Sequence, residues 1–176
     1  MSAIPIDGKY GLTFERANEA LSYDPDIGIF RWKIMANNNS VRVGNIAGNL
    51  IGCGYWKIAL DGHGYLAHRL AWLLMRGKWP QGQIDHINRT RSDNRWENLR
   101  CCTQPQNSAN SKARSTNKTG FKGVYYHKAG KRYAASICHQ GTNFYLGLFD
   151  TPEAAHATYC KKAAELHGEF HHSGAV

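Results

Sequence analysis

Gln83-Ile84-Asp85-His86-Ile87-Asn88, then Asp93-Asn94-Arg95-Trp96-Glu97-Asn98-Leu99-Arg100, then Gln106-Asn107, is the stretch on which the reading of this chain turns. It is polar and rich in Asn and Arg, with short apolar anchors at Ile84, Ile87 and Leu99, so it suits a site rather than a core. Asn98 follows His86 by 12 positions and Asn107 follows Asp85 by 22. Asp85 and the amide oxygen of Asn107 are hard oxygen ligands of the kind Mg²⁺ or Mn²⁺ takes, and so few protein ligands would leave room for water and substrate oxygens. His86 has the side chain that exchanges a proton near neutral pH. In an ideal strand Asp85 and His86 point to opposite sides, so both serve one site only if the strand end bends. An Asp-His step alone is mostly surface decoration, and an Asn-rich loop is mostly turn chemistry. The ordered set of four is what singles the stretch out.

On the C-terminal side, Thr103-Gln104-Pro105-Gln106 reads as a helix start, with Thr103 as cap, Gln106 three residues on and a proline in the first turn. That helix is expected to run to about Lys112. On the N-terminal side, residues 67–77 place Leu66, Leu70, Leu73 and Leu74 at helical spacing, with Gly77 as a stop, which predicts a core helix. His68 falls on it beside Arg69. A structural histidine is the expected role, a phosphate contact the alternative. Before that helix, turn signals at Asp24-Pro25, Ile27-Gly28, Gly48-Asn49 and Asp61-Gly62 separate short strand-like runs, the pattern of a small antiparallel meander. The Asp61-Gly62 step suits a tight hairpin.

Further out, residues 113–119 lack an apolar anchor and read as a basic linker. Three strand-like runs follow, Phe121 to His127, Arg132 to His139 and Asn143 to Phe149. Thr151-Pro152-Glu153 then opens a helix that ends at Gly168. The expected class is α+β: an N-terminal antiparallel meander plus helix, a central site-bearing core, and a C-terminal three-stranded antiparallel sheet packed on one helix. The expected segments are 1–66, 67–112, the linker 113–119, and 120–172.

Composition narrows the partners. The 176 residues carry 22 Lys and Arg against 13 Asp and Glu, a net charge of +9, which favours a polyanion such as nucleic acid. No run approaches the roughly 18 apolar residues of a membrane span. The N-terminus lacks a signal-like apolar core, so an intracellular protein is expected. Five cysteines without a CxxC pair argue against a disulfide framework and a structural zinc site.

With these residues in place, the chain resembles the HNH nucleases, a strand-loop-strand-helix, metal-binding family found in phage and intron-encoded endonucleases. The resemblance implies that His86 is the general base toward water, that Asn98 orients His86 or pins the loop, and that Asp85 and Asn107 hold one divalent metal. It departs from the family pattern in ending on Asn107 rather than His, which favours Mg²⁺ or Mn²⁺ over zinc or nickel. Arg89, Arg91, Arg95 and Arg100 surround the site and could hold a DNA backbone or stand solvated. Asn110 and Ser111 lie one helical turn beyond Asn107. Tyr23 to Lys33 and Gly64 to Trp72 also look like phage HNH proteins, which extends the resemblance over most of the chain.

Residues 120–172 resemble the ethylene-response-factor, Apetala-two-like, DNA-binding domain. Phe121-Lys122-Gly123-Val124, Arg132 to Ile137, Tyr145 to Thr151 and Glu153-Ala154-Ala155 carry this second resemblance. It implies that the sheet face away from the helix meets DNA through Lys122, Tyr125, His127, Arg132, Ser136, Asn143 and Tyr145. Several arginines of that family are replaced here by Tyr125, Cys138 and Asn143, so base preference does not carry over. Strand alternation puts Tyr133, Ala135 and Ile137 on the core face. The implied function is a metal-dependent endonuclease of homing type acting on double-stranded DNA, as a monomer or a homodimer. Alternatives are a non-catalytic DNA-binding regulator that keeps the nuclease fold, and a nuclease acting on RNA.

Overall fold

The computed structural model describes residues 10–35, 41–111, 113 and 116–171. It divides into two units, Met1–Cys102 and Thr103–Val176. Helices alternate with small antiparallel sheets, which fits the α+β class.

In the first unit, Thr13 opens α1 (Phe14–Ala20), its hydroxyl accepting the Arg16 N–H. The chain passes directly into the hairpin β1 (Leu21–Asp24) and β2 (Ile29–Trp32). A second sheet joins β3 (Asn49–Leu50), β4 (Trp56–Leu60) and β5 (His63–Leu66) in sequence order. Asp61 and Gly62 link β4 to β5 with φ of 50° and 77°, the two positive values that a type I′ hairpin requires. Helix α2 (Ala67–Arg76) follows at once. It stops where Gly77, at φ 70°, turns its N–H onto the Leu73 carbonyl.

The last pair of the unit, β6 (Gln83–His86) and β7 (Leu99–Cys102), is antiparallel. Leu12, Leu21, Phe30, Ile58, Leu70, Leu73, Ile84 and Leu99 share one core. The meander, α2 and the β6–β7 pair therefore bury their apolar faces together, each fully buried Leu or Phe contributing about 2 kcal/mol. Residues on both sides of position 66 belong to the same unit.

The turn of the β1–β2 hairpin reaches into the loop between β6 and β7. Tyr23 Oη donates to the Asn94 carbonyl at 2.7 Å, and Trp96 N–H donates to the Pro25 carbonyl at 2.9 Å. Gly28, at φ 72°, sits so close that an added Cβ would lie 2.5 Å from the Asn94 carbonyl carbon and from the Arg95 nitrogen.

The second unit begins with α3 (Gln104–Asn110). Thr103 and Gln106 form its capping box, as their spacing predicts. The helix ends at Asn110 with Ser111 as C-cap, short of the expected end near Lys112, which lies outside the described residues. Arg114 and Ser115 of the expected linker also lie outside them. Asn117 and Thr119, in contrast, build a side-chain-supported turn: Asn117 Nδ2 donates to the Phe121 carbonyl at 2.7 Å and Thr119 Oγ1 to the Val124 carbonyl at 3.1 Å. Those bonds take the place of ladder pairing. The strand expected from Phe121 accordingly starts at Val124.

Strands β8 (Val124–His127), β9 (Arg132–His139) and β10 (Thr142–Phe149) form one antiparallel sheet with β9 at its centre. Thr151 caps α4 (Pro152–His167), whose Ala155, Tyr159 and Ala163 pack on Val124, Ala135 and Ile137. Tyr133, Phe144, Leu146 and Phe149 complete that inner face. A bulge between Tyr145 and Gly147 resets the alternation, so that Leu148 pairs opposite Ala134 and Phe149 turns inward.

Gly28→Ala is expected to lower stability by about 2 kcal/mol or more, combining a backbone overlap with a φ that side chains disfavour. Chemical denaturation of the two proteins checks this, with Gly62→Ala, at another positive-φ turn but with open space around it, as the control.

Candidate active site

Register sets the two neighbours of the site apart. In the β6–β7 pair Asp85 stands opposite Arg100 and His86 opposite Leu99, so the two side chains leave on opposite faces. On one face Arg100 Nε and Nη2 both reach Asp85 Oδ2, at 2.9 and 2.8 Å, with both side chains largely buried. Arg100, expected as a contact to nucleic acid, is thereby engaged by the carboxylate beside it.

On the other face His86 meets aromatic rings. Its ring centre is 5.0 Å from that of His68, edge to face, and 6.0 Å from that of Tyr55. His86 Nε2 lies 3.3 Å from Asn94 Oδ1. Asn94 Nδ2 donates to the Ser92 carbonyl, which fixes Oδ1 as the acceptor. Nε2 therefore carries the proton, and the lone pair of the neutral ring sits on Nδ1. Burial pushes the His86 pKa below its ordinary value, although Asn94, Asp85 and Asp93 pull the other way. The ring is neutral at pH 7 and able to accept a proton.

Asn98 holds the loop rather than the histidine. Its Oδ1 accepts the Asn88 N–H at 2.9 Å, and its Nδ2 donates to Asn88 Oδ1 at 3.0 Å and to the Asp93 carbonyl at 2.8 Å. The orientation of His86 falls to Asn94, a residue the sequence reading quoted but gave no role. Asp85, His86, Asn94, Asn98 and His68 are each at most 5% exposed. The signal that could have found Asn94 was its place in a tight Asn-rich loop, where amides are positioned by backbone turns.

The other arginines of the loop are distributed among partners. Arg91 Nη1 donates to the Cys53 carbonyl at 2.9 Å, and its guanidinium lies over the Tyr55 ring at 5.0 Å. Arg95 pairs with Asp93 at 2.8 Å and Glu97 at 2.7 Å. Arg89 occupies the turn directly after β6, its N–H donating to the His86 carbonyl at 2.8 Å.

In the second unit Asn107 lies on α3, its N–H bonded to the Thr103 carbonyl. Asn110 is buried, and Ser111 Oγ donates to the Ser108 carbonyl at 2.6 Å. Lys122, expected on the nucleic-acid face, instead closes the end of this helix. Its ammonium donates to the carbonyls of Ser108, Ala109 and Ser111 at 3.2, 2.6 and 2.8 Å. A cation suits that end of the helix, where carbonyls lack intrahelical partners.

Tyr125, His127, Arg132, Ser136, Asn143 and Tyr145 share the sheet face away from α4. Tyr125 and Tyr145 are well exposed. His127 Nδ1 accepts the Gly130 N–H, and Arg132 pairs with Asp150 at 2.8 Å.

His68 bears a stability consequence. Burial, with smaller contributions from His86 and Arg69, lowers its pKa to about 3. Between pH 6.5 and 3 the unfolded chain binds a proton at this residue and the folded chain does not, so stability is lost as pH falls through that window. His68→Phe is expected to remove about 2 kcal/mol of the stability difference between pH 7 and pH 5, read from denaturation at both values.

Comparison with known proteins finds similar sequences. Residues 65–109 match the family model described as HNH endonuclease. An uncharacterized HNH endonuclease of Acanthamoeba polyphaga mimivirus is 35% identical over 105 residues, which is 58% of this chain and 54% of the relative. Protein 3.8 of Escherichia phage T7 is 29% identical over 104 residues, 58% of this chain and 85% of that protein. The chain thus spans about half the length of the mimivirus relative. No solved structure matches. The family match ends at residue 109, before the sheet and helix of residues 124–167. Residues 65–109 are thus similar to the HNH endonuclease family, and Asp85, His86, Asn98 and Asn107 all fall within the matched segment.

Proposed function

We propose that this protein is a metal-dependent HNH endonuclease of the phage- or intron-encoded homing type, hydrolysing phosphodiester bonds of double-stranded DNA. The observation that carries the reading is His86: buried, neutral, oriented by Asn94, and directly beside Asp85 in a strand end within the matched segment. A net charge of +9 supports a polyanionic substrate. No helix among the described residues is long and apolar enough to cross a membrane.

His86 Nδ1 takes the proton of the attacking water, which a neutral imidazole can do and an imidazolium cannot. Asn94 holds the opposite nitrogen, so the neutral ring keeps its lone pair on Nδ1 and, once protonated there, still donates from Nε2 to Asn94. Asn98 fixes the loop that carries Asn94.

The donor set fits a hard divalent cation. A carboxylate with an amide oxygen is a donor pair that suits Mg²⁺ or Mn²⁺ better than zinc. Asp85 and Asn107 would hold that ion. When bound it would relieve charge on the phosphate and help the departing 3′ oxygen.

The outer face of the β8–β10 sheet would lie against the duplex in the manner of the ethylene-response-factor domains, with Tyr125, Ser136, Asn143 and Tyr145 as its contacts. Arg91, Arg95, His127 and Arg132 would add to the contact surface where they release their present partners. Lys122 and Arg100 drop from that set, because their charges close α3 and hold Asp85.

Supercoiled plasmid incubated with Mg²⁺ is expected to be nicked or linearised, and EDTA to stop it. His86→Ala is expected to slow cutting by roughly 10²–10⁴-fold, the usual contribution of a general base, with duplex binding nearly unchanged. Unchanged cutting by His86→Ala would overturn the assignment of the base. Duplex binding without cutting under any divalent metal would favour the regulatory reading.

A further inference from the structure

Three arginines lie in the loop between β6 and β7 and a fourth, Arg100, in β7, and three of the four have protein partners for their guanidinium groups. Arg91 is taken by the Cys53 carbonyl and the Tyr55 ring, Arg95 by Asp93 and Glu97, and Arg100 by Asp85. Arg89 differs. Its Nε and Nη1 are both buried, and among the described residues neither has a hydrogen-bond partner. Guanidinium N–H donors buried without an acceptor destabilise the fold, and native structures rarely keep them without a use.

The backbone adds a local cost of the kind also met at Asp61, Lys131 and Gln140. Arg89 sits at φ 62°, in the left-handed region that a residue with a Cβ adopts at a cost. Its N–H closes the turn on the His86 carbonyl at 2.8 Å, so this strained residue stands one turn away from the general base. Glycine would adopt that turn without strain and would bury no unpaired donors. The unpaired donors, three residues from His86, call for an anionic ligand that offsets their burial.

We infer that Arg89 is an anion subsite whose ligand is a phosphodiester oxygen of the nucleic acid backbone, at or next to the bond that is cut. The inference rests on the nuclease reading for the identity of the anion. A phosphate oxygen is the acceptor that a guanidinium bonds best, and exclusion of water strengthens the bond. The loop acids are engaged elsewhere, Asp93 by Arg95 and Asn88, and Asp85 by Arg100, so a bound phosphate would not compete with them for Arg89.

The test uses the full chain, a 20-base-pair duplex and two variants, Arg89→Gly and Arg89→Lys. Arg89→Gly is expected to melt a few degrees higher than the parent, because strain and two buried unpaired donors both disappear. It is also expected to bind the duplex more weakly, with the slope of log affinity against log salt reduced by about one, and to cut at least tenfold more slowly. Arg89→Lys retains the charge and should keep the slope near that of the parent. A lower melting temperature for Arg89→Gly would make Arg89 a structural residue and overturn the inference. So would unchanged affinity, salt slope and cutting. Failure of the parent protein to cut under any metal would remove the nuclease reading instead, while the melting and salt-slope results still decide whether Arg89 meets phosphate.

Discussion

The site depends on one amide. Between His86 and Leu99 the chain leaves β6, runs through a polar loop and returns as β7, and every buried backbone group on the way needs a partner. Asn98 supplies three bonds across that loop, two to Asn88 and one to the Asp93 carbonyl, and its own carbonyl accepts the Ile87 N–H at 2.9 Å. Each such bond contributes about 1 kcal/mol net, and losing one inside the protein leaves a buried group unsatisfied at higher cost. With the loop closed in this way Asn94 comes to rest against His86. The orientation of the imidazole thus passes from Asn98 through the backbone to Asn94 and only then to His86.

Electrostatics follow from the same closure. Asp85 is ionically paired with Arg100 on one face of β6, while His86 and His68 meet edge to face on the other. Two imidazoles at that distance in a buried setting would repel strongly if both were charged, so burial and proximity act together to keep them neutral. The neutral form of His86 is thus favoured by packing. Tyr55, stacked under the Arg91 guanidinium, closes the same face.

Much of this was legible from the residues. The α2 stop at Gly77, the Thr103 capping box, the Asp61-Gly62 hairpin and the three C-terminal strands all rest on local rules, in which a few neighbouring residues decide the backbone. Asp85, His86 and Asn98 stood out by type and spacing. The division of labour between Asn94 and Asn98 did not, because two amides four residues apart in an Asn-rich loop look alike until the loop is folded. Nor did the engagement of Arg100 and Lys122. In sequence both are basic residues beside a polar site. In the fold one faces a carboxylate across a strand pair, and the other reaches the open carbonyls of a helix, contacts set by register and tertiary packing rather than by local pattern.

The support of the site extends beyond the segment that matches the HNH family. Tyr23, Pro25 and Gly28 lie some forty residues before that segment begins, yet they hold the backbone of residues 94–96 by two hydrogen bonds and by an approach that admits no side chain. Such contacts are made to backbone atoms, so they constrain where Asn94 stands without depending on which side chain it carries. The β1–β2 hairpin is accordingly part of the site's architecture rather than an appendage to it. Because Phe30 from that hairpin shares a core with Leu70, Ile84 and Leu99, the hairpin cannot shift without disturbing the strands that hold Asp85 and His86. A buried core of this kind is close-packed and transmits displacement instead of absorbing it. Rigid placement of an imidazole in a four-residue strand therefore rests on residues that a reading of the nuclease segment alone would leave out.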